Sequence, residues 1–218
     1  MSAEASAVAF EPPPDNCPLC PRLAGFRAEN RETFPDFHNA PVVSFGPDDA
    51  RLLVVGLAPG LKGANATGRP FTGDYAGDLL YATLAKFGFT RGQYGGRADD
   101  GLALIDARIT NAVRCVPPEN KPVGAEIANC RPYLVREIES LATLSIILAL
   151  GTIAHNSVLT ALGLRRAAYP FGHGALYELP DGPALIASYH CSRYNTNTGR
   201  LTPEMFEAVF ATIRGRLT

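Results

Sequence analysis

The sequence predicts an α/β fold, a three-layer α/β/α sandwich with a mostly parallel central four-stranded sheet. Two continuous apolar runs, RLLVVG at 51–56 and LSIILALG at 144–151, have the composition of strands covered on both faces. Each leads into a segment whose apolar residues recur at helical spacing. Strand and helix then alternate along the chain without an internal repeat, as crossover-connected parallel sheets require.

Residues 1–16, MSAEASAVAFEPPPDN, combine small residues with three consecutive prolines and no apolar period. They predict a flexible lead-in to a single domain at 17–218. The first strand is 51–56. Leu79, Leu80, Leu84 and Phe87 place a helix at 77–87. ARITNAV at 107–113 reads as a strand, 124–141 as a helix, 144–151 as a second buried strand and 152–162 as another helix. ALYEL and PALIASY follow as strands. Thr202 is a fitting N-cap and Pro203 a fitting first-turn residue for a closing helix to 216. In such a sheet, ligands sit beyond the carboxyl ends of the strands. Three segments are therefore expected to converge there: GLAPG at 56–60, the end of TNAVRC at 110–115, and YHCSRYNTNTG at 189–199.

Composition narrows the class. With 46% hydrophobic and 19% charged residues in 218, the chain reads as globular rather than fibrous or disordered. The longest apolar run, 144–150, is far too short to cross a bilayer, and the N-terminus lacks the pattern of a signal peptide. The expectation is a cytoplasmic monomer with no membrane partner. A net charge of −1 argues against a broad basic footprint for nucleic acid, yet the charge is uneven. Residues 1–50 hold three arginines against eight acids, which leaves the remainder at +4. That body is compatible with gripping a few phosphates.

Cys17 and Cys20 form CPLC, while Cys115 and Cys130 enclose a loop that starts where a core strand ends. Four thiolates meeting there suit zinc or an iron–sulfur cluster, and spacing alone does not choose between them. Two buried thiol pairs are the alternative. Cys191 is left over and reads as a small apolar residue.

These motifs together carry a resemblance. CPLC, GLAPG, GRPFTGD, ITNAVRC with its downstream cysteine, and HCSRYNTNTGRLT resemble the iron–sulfur uracil-DNA glycosylases, most closely the type-b (family 5) group. The resemblance runs from Cys17 to Thr202. It implies a DNA-repair enzyme acting on uracil-containing DNA, with a structural 4Fe–4S cluster on Cys17, Cys20, Cys115 and Cys130, zinc being the alternative metal. It also implies a wider base range that includes hypoxanthine, xanthine or ethenocytosine.

Such an enzyme must evert a base into a pocket, stack it, read its pairing edge and stabilise departing charge. Asn111 offers a donor and an acceptor on one amide, matching uracil O4 and N3–H, and the resemblance gives it that role; capping a turn is the alternative. Phe71 would stack the base. His190 would stand where uracil O2 gathers charge, whereas His38, His155 and His173 read as core or solvated. Gly56, Leu57 and Ala58 form a turn whose backbone can approach a ligand closely. Related groups carry an acidic or amide side chain just after the first Gly; Leu57 and Ala58 supply none. The type-b resemblance therefore moves the water-holding role to Asp74, whose alternative is an N-cap for the next helix. Arg69, Ser192, Arg193, Asn195 and Arg200 are the candidate DNA contacts. No lysine is placed for a Schiff base, so strand cleavage is not expected. A non-catalytic iron–sulfur protein that binds uracil or abasic DNA is the alternative function.

Overall fold

The computed structural model describes residues 10–218. Its central sheet has the order β4-β1-β5-β7-β6. The first four are β4 (Ala107–Asn111), β1 (Leu52–Gly56), β5 (Ile146–Leu150) and β7 (Ala184–Ser188), all parallel; β6 (Leu176–Tyr177) adds antiparallel to β7. The sheet thus has five strands, not the four expected. ALYEL contributes only a two-residue edge strand.

Every residue of the four parallel strands is buried, the burial that continuous apolar runs predict. Side chains alternate between the two faces. Leu52 and Val54 point into a core shared with Leu80 and Leu84 of α3 (Tyr75–Lys86) and Phe206 and Phe210 of α7 (Pro203–Leu217). Leu53 and Val55 point the other way, against Leu134 of α4 (Gly124–Ser140) and Val158 of α5 (Thr152–Ala161). These two cores make the three layers. Thr202 caps α7 by accepting from Met205 N at 3.2 Å, with Pro203 in the first turn.

Five elements had no clear sequence signal. Helix α1 (Pro21–Thr33) buries Leu23 but also Arg27 and Asn30, so it has no apolar stripe. It docks through polar contacts: the Arg22 guanidinium donates twice to Glu126 of α4, at 2.8 Å each. One turn of helix, α2 (Ala64–Thr67), an antiparallel pair of two-residue strands, β2 (Thr90–Arg91) and β3 (Ala103–Leu104), and α6 (Arg193–Asn197) are the others. Of the predicted lead-in, residues 1–9 lie outside the described residues. Beyond them, Pro13 is buried and the Phe10 ring lies 5.6 Å from the Arg114 guanidinium carbon and 5.9 Å from that of Arg108. Among the described residues no helix is long and apolar enough to cross a membrane.

Candidate active site

The parallel strands end on one rim of the sheet, and the three expected segments meet there. A pocket of about 260 Å³, partly open to solvent, is lined by Ala58 after β1, Asn111 at the end of β4 and His190 after β7, with Phe71, Asp74 and Gly60 closing its sides.

Gly56 and Leu57 do not line the pocket. Leu57 instead accepts a backbone bond from Val113 N at 3.0 Å, fastening the turn to the segment after β4. Gly56 makes space. A Cβ there would lie 2.4 Å from Asn111 Oδ1 and 2.5 Å from Phe71 Cζ, so only glycine lets the amide and the ring approach.

Asn111 is 2% exposed, and its Oδ1 has no hydrogen-bond partner among the described residues. A buried acceptor left bare costs free energy, about 1–3 kcal/mol in typical cases. It is not capping a turn.

Phe71 has φ +51°, a left-handed conformation unusual for an aromatic residue. Its neighbours over-determine it. Tyr81 Oη donates to Pro70 O at 2.7 Å, Tyr94 Oη donates to Phe71 O at 3.3 Å, and Gly73 N donates to Tyr94 Oη at 3.2 Å. Helix α3 presses from beneath, with Gly77 so close that a Cβ would overlap Phe71 O. The Phe71 and His190 rings lie near-parallel, 27° apart, with centroids separated by 5.8 Å.

Arg69 corrects the sequence reading. It is 4% exposed, donates to both Asp100 oxygens at 2.7 Å and to Thr72 Oγ1 at 2.8 Å, and lies within an aromatic cage of Phe45, Tyr81 and Tyr94. The Arg69 guanidinium holds Asp100 well below the usual carboxylate range. Thus Arg69 faces inward and clamps the Phe71 loop; it is not available to a phosphate.

Asp74 both caps and faces the pocket. One oxygen, Oδ1, accepts from Gly77 N at 3.1 Å as the N-cap of α3. The other, Oδ2, crowds the backbone of Gly60 and Gly63, where a Cβ would sit 3.2 and 2.5 Å away. Burial pushes the carboxyl up from its ordinary value, opposed by the amides of Gly77 and Ala76. Burial also pushes His190 down to about 4, so its imidazole is neutral at pH 7.

After His190, Asn195 Nδ2 donates to the His190 carbonyl at 2.8 Å, and Ser192 Oγ accepts from Asn195 N as the N-cap of α6. These two brace the loop from within. Arg193 and Arg200 are exposed, over the rings of Tyr75 and Tyr189. Tyr194 between them is 72% exposed, a large aromatic that a polar stretch of sequence concealed. Cys191 is fully buried, its thiol donating to Ala76 O at 3.4 Å.

The four remaining cysteines line one cavity on the far side of the β4 terminus, with Leu23, Tyr133 and Arg27. Burial pushes the Cys115 thiol up to about 12. Among the described residues, no three His, Cys, Asp or Glu side chains close around a single ion-sized point. Ala58, from the first pocket, packs against the apolar cluster of Leu23, Val113 and Cys130 that walls the second.

The profile of the Uracil DNA glycosylase superfamily matches residues 43–214. The chain belongs to the uracil DNA glycosylase superfamily. It is 46% identical over 195 residues to a Type-5 uracil-DNA glycosylase of Thermus thermophilus, covering 87% of this chain and 89% of that one. A Type-5 uracil-DNA glycosylase of Pyrobaculum aerophilum is 39% identical, with 89% and 86% covered. A Type-4 uracil-DNA glycosylase of Archaeoglobus fulgidus is 31% identical, with 68% and 69% covered. The superfamily match spans all three pocket segments, whereas Cys17 and Cys20 precede it.

Proposed function

We propose that this chain is a monofunctional uracil-DNA glycosylase, hydrolysing the bond between uracil and deoxyribose in DNA and leaving an abasic site. The observation that carries this reading is the bare Asn111 Oδ1, buried at a strand end in a pocket also lined by an aromatic ring, a carboxylate and an imidazole. Uracil N3–H donates to that oxygen, and uracil O4 accepts from the Asn111 amide nitrogen. Cytosine offers no N3–H and is left unread.

Phe71 supplies the stacking face, worth about 1–3 kcal/mol per base. As the C1′–N1 bond breaks, its electron pair passes to the uracil ring, and neutral His190 donates a hydrogen bond to the charge gathering at O2. Asp74 Oδ2 orients water for attack at C1′ and takes its proton; its charge also favours the cationic sugar of the transition state. Ala58 and the turn from Gly56 keep that side of the pocket narrow. The exposed Arg193 and Arg200 meet phosphates, and Ser192 and Asn195 hold the loop that presents them.

The four-cysteine cavity fits a thiolate-held metal group. Its metal-binding donors are all sulfur, the four cysteines line one cavity, and a buried guanidinium supplies positive charge beside it. A 4Fe–4S cluster, which the resemblance favours over zinc, would be held by Cys17, Cys20, Cys115 and Cys130 and would join the N-terminal arm to α4 and the β4 terminus.

The test is incubation with a uracil-containing duplex followed by alkali. Strand scission only after alkali is expected, and intact strands despite tight binding would favour a non-catalytic binder. Asn111→Asp should lower uracil release about tenfold or more, since a carboxylate repels O4 and cannot donate to it. Unchanged release by that variant refutes the reading role.

A further inference from the structure

The described residues include four guanidiniums that are at most 8% exposed, and three have carboxylate partners. Arg69 is held by Asp100, while Arg108 and Arg114 share Glu137. Arg27 on α1, 5% exposed, is the exception. Its Nη2 donates to the Cys17 carbonyl at 3.0 Å and its Nη1 points at Cys115 Sγ, 3.5 Å away; among the described residues it forms no ion pair. A buried cation without an anion is a costly arrangement that a fold does not retain unless something offsets it.

What lies beside it is sulfur. Two more N–H groups aim at the same set: Arg114 N at Cys130 Sγ, 3.3 Å away, and Asn129 Nδ2 at Cys20 Sγ, 3.7 Å away. Donors converging on three of the four sulfurs suit sulfur that only accepts, as a metal-held thiolate does. Thiolates on a metal–sulfide core carry net negative charge, which is the partner that Arg27 otherwise lacks.

We propose that Arg27 is the buried counter-ion of the metal group in this cavity, a positioning residue that retains the group through Cys115 and raises its reduction potential. The inference rests on the cofactor reading above. Adding an electron makes the group more negative, so a fixed positive charge beside it favours the reduced form. Arg27 lies outside the base pocket, and its effect is read on the metal rather than on turnover.

The test uses the full chain as purified, comparing wild type with Arg27→Met, which keeps most of the stem without charge, and Arg27→Lys, which keeps charge without the fork. Iron and sulfide per chain, decay of the visible cluster absorption under a chelator, and midpoint potential are measured. Arg27→Met should lose iron about tenfold faster than wild type, in line with partners that sit behind metal ligands elsewhere, with a more negative potential. Arg27→Lys should recover most of both, which a loss of packing alone would not produce. Equal iron release and equal potential in Arg27→Met would overturn the proposal. If that variant does not fold, Arg27→Lys is compared with the neutral Arg27→Gln instead: slower release from Arg27→Lys supports the counter-ion, and identical release sinks it. Glu4 lies outside the described residues, so Glu4→Gln is the control; a Glu4→Gln protein that sheds iron as fast as Arg27→Met would make Glu4 the partner. Wild type lacking iron altogether would fail the cofactor reading, leaving release of zinc to the same chelator as the measure for Arg27.

Discussion

The base pocket and the cysteine cavity flank the same strand end, with Asn111 in one and Cys115 in the other, four positions apart along the chain, and each holds one buried group that lacks its natural partner among the described residues. In the pocket it is an acceptor, Asn111 Oδ1. In the cavity it is a cation, Arg27, with no carboxylate among the described residues. Deficits of opposite kind point to ligands of opposite kind: a neutral base that brings a donor, and a group that brings negative charge. Arg69 shows what a completed site looks like, since its guanidinium is as buried but fully matched by Asp100, Thr72 and three rings.

Removing the reactive charge should have the largest effect on the pocket. Asp74→Asn keeps an oxygen for the Gly77 amide while abolishing the negative charge, so uracil release in single-turnover assays should fall about 10²–10⁴-fold. Its melting temperature should stay close to wild type. Asp74→Ala adds loss of the cap, about 1 kcal/mol of stability. Wild-type turnover in the Asn variant would move water activation to another residue.

Next, Asp100→Asn converts Arg69 into a second Arg27, a buried cation without its anion. Breaking such a pair is expected to cost about 3 kcal/mol, read by denaturant titration, and to loosen the loop that carries Phe71. A cost near zero would show that the aromatic cage alone supports Arg69, and the contrast with Arg27 would lose its force.

The smallest effect is on pH dependence. His190 stays neutral in the fold down to about 4, against 6.5 when unfolded. Between those values the unfolded chain binds a proton that the folded chain does not, so stability should fall as pH drops from 6.5 towards 4. His190→Asn should flatten that part of a melting-temperature profile, and an unchanged slope would assign the loss to other groups.

The pocket was far more legible in the sequence than the parts that brace it. Continuous apolar runs announce β1 and β5, and once strands end on one rim, Ala58, Asn111 and His190 must gather. Asp74 carried two readings: the cap is present through one oxygen, and the other oxygen is left on the pocket side. Arg69 was misread because its partner, Asp100, lies 31 residues downstream and its cage comes from three separate elements; a lone arginine in a polar loop gives no hint of either. Helix α1 escaped notice for a related reason: it is secured by Arg22 to Glu126 and by Arg27 to the cysteine loop, and such long-range polar ties have no period.

The double duty of Asp74 also sets a thermal limit. Helix ends open at lower free-energy cost than helix middles, and the side chain that stops α3 from fraying is the one that confronts the sugar. Warming that unwinds this first turn carries the carboxylate away from the pocket while the sheet is still intact. Activity should therefore fade before the protein melts, with the shortfall traceable to one helical turn.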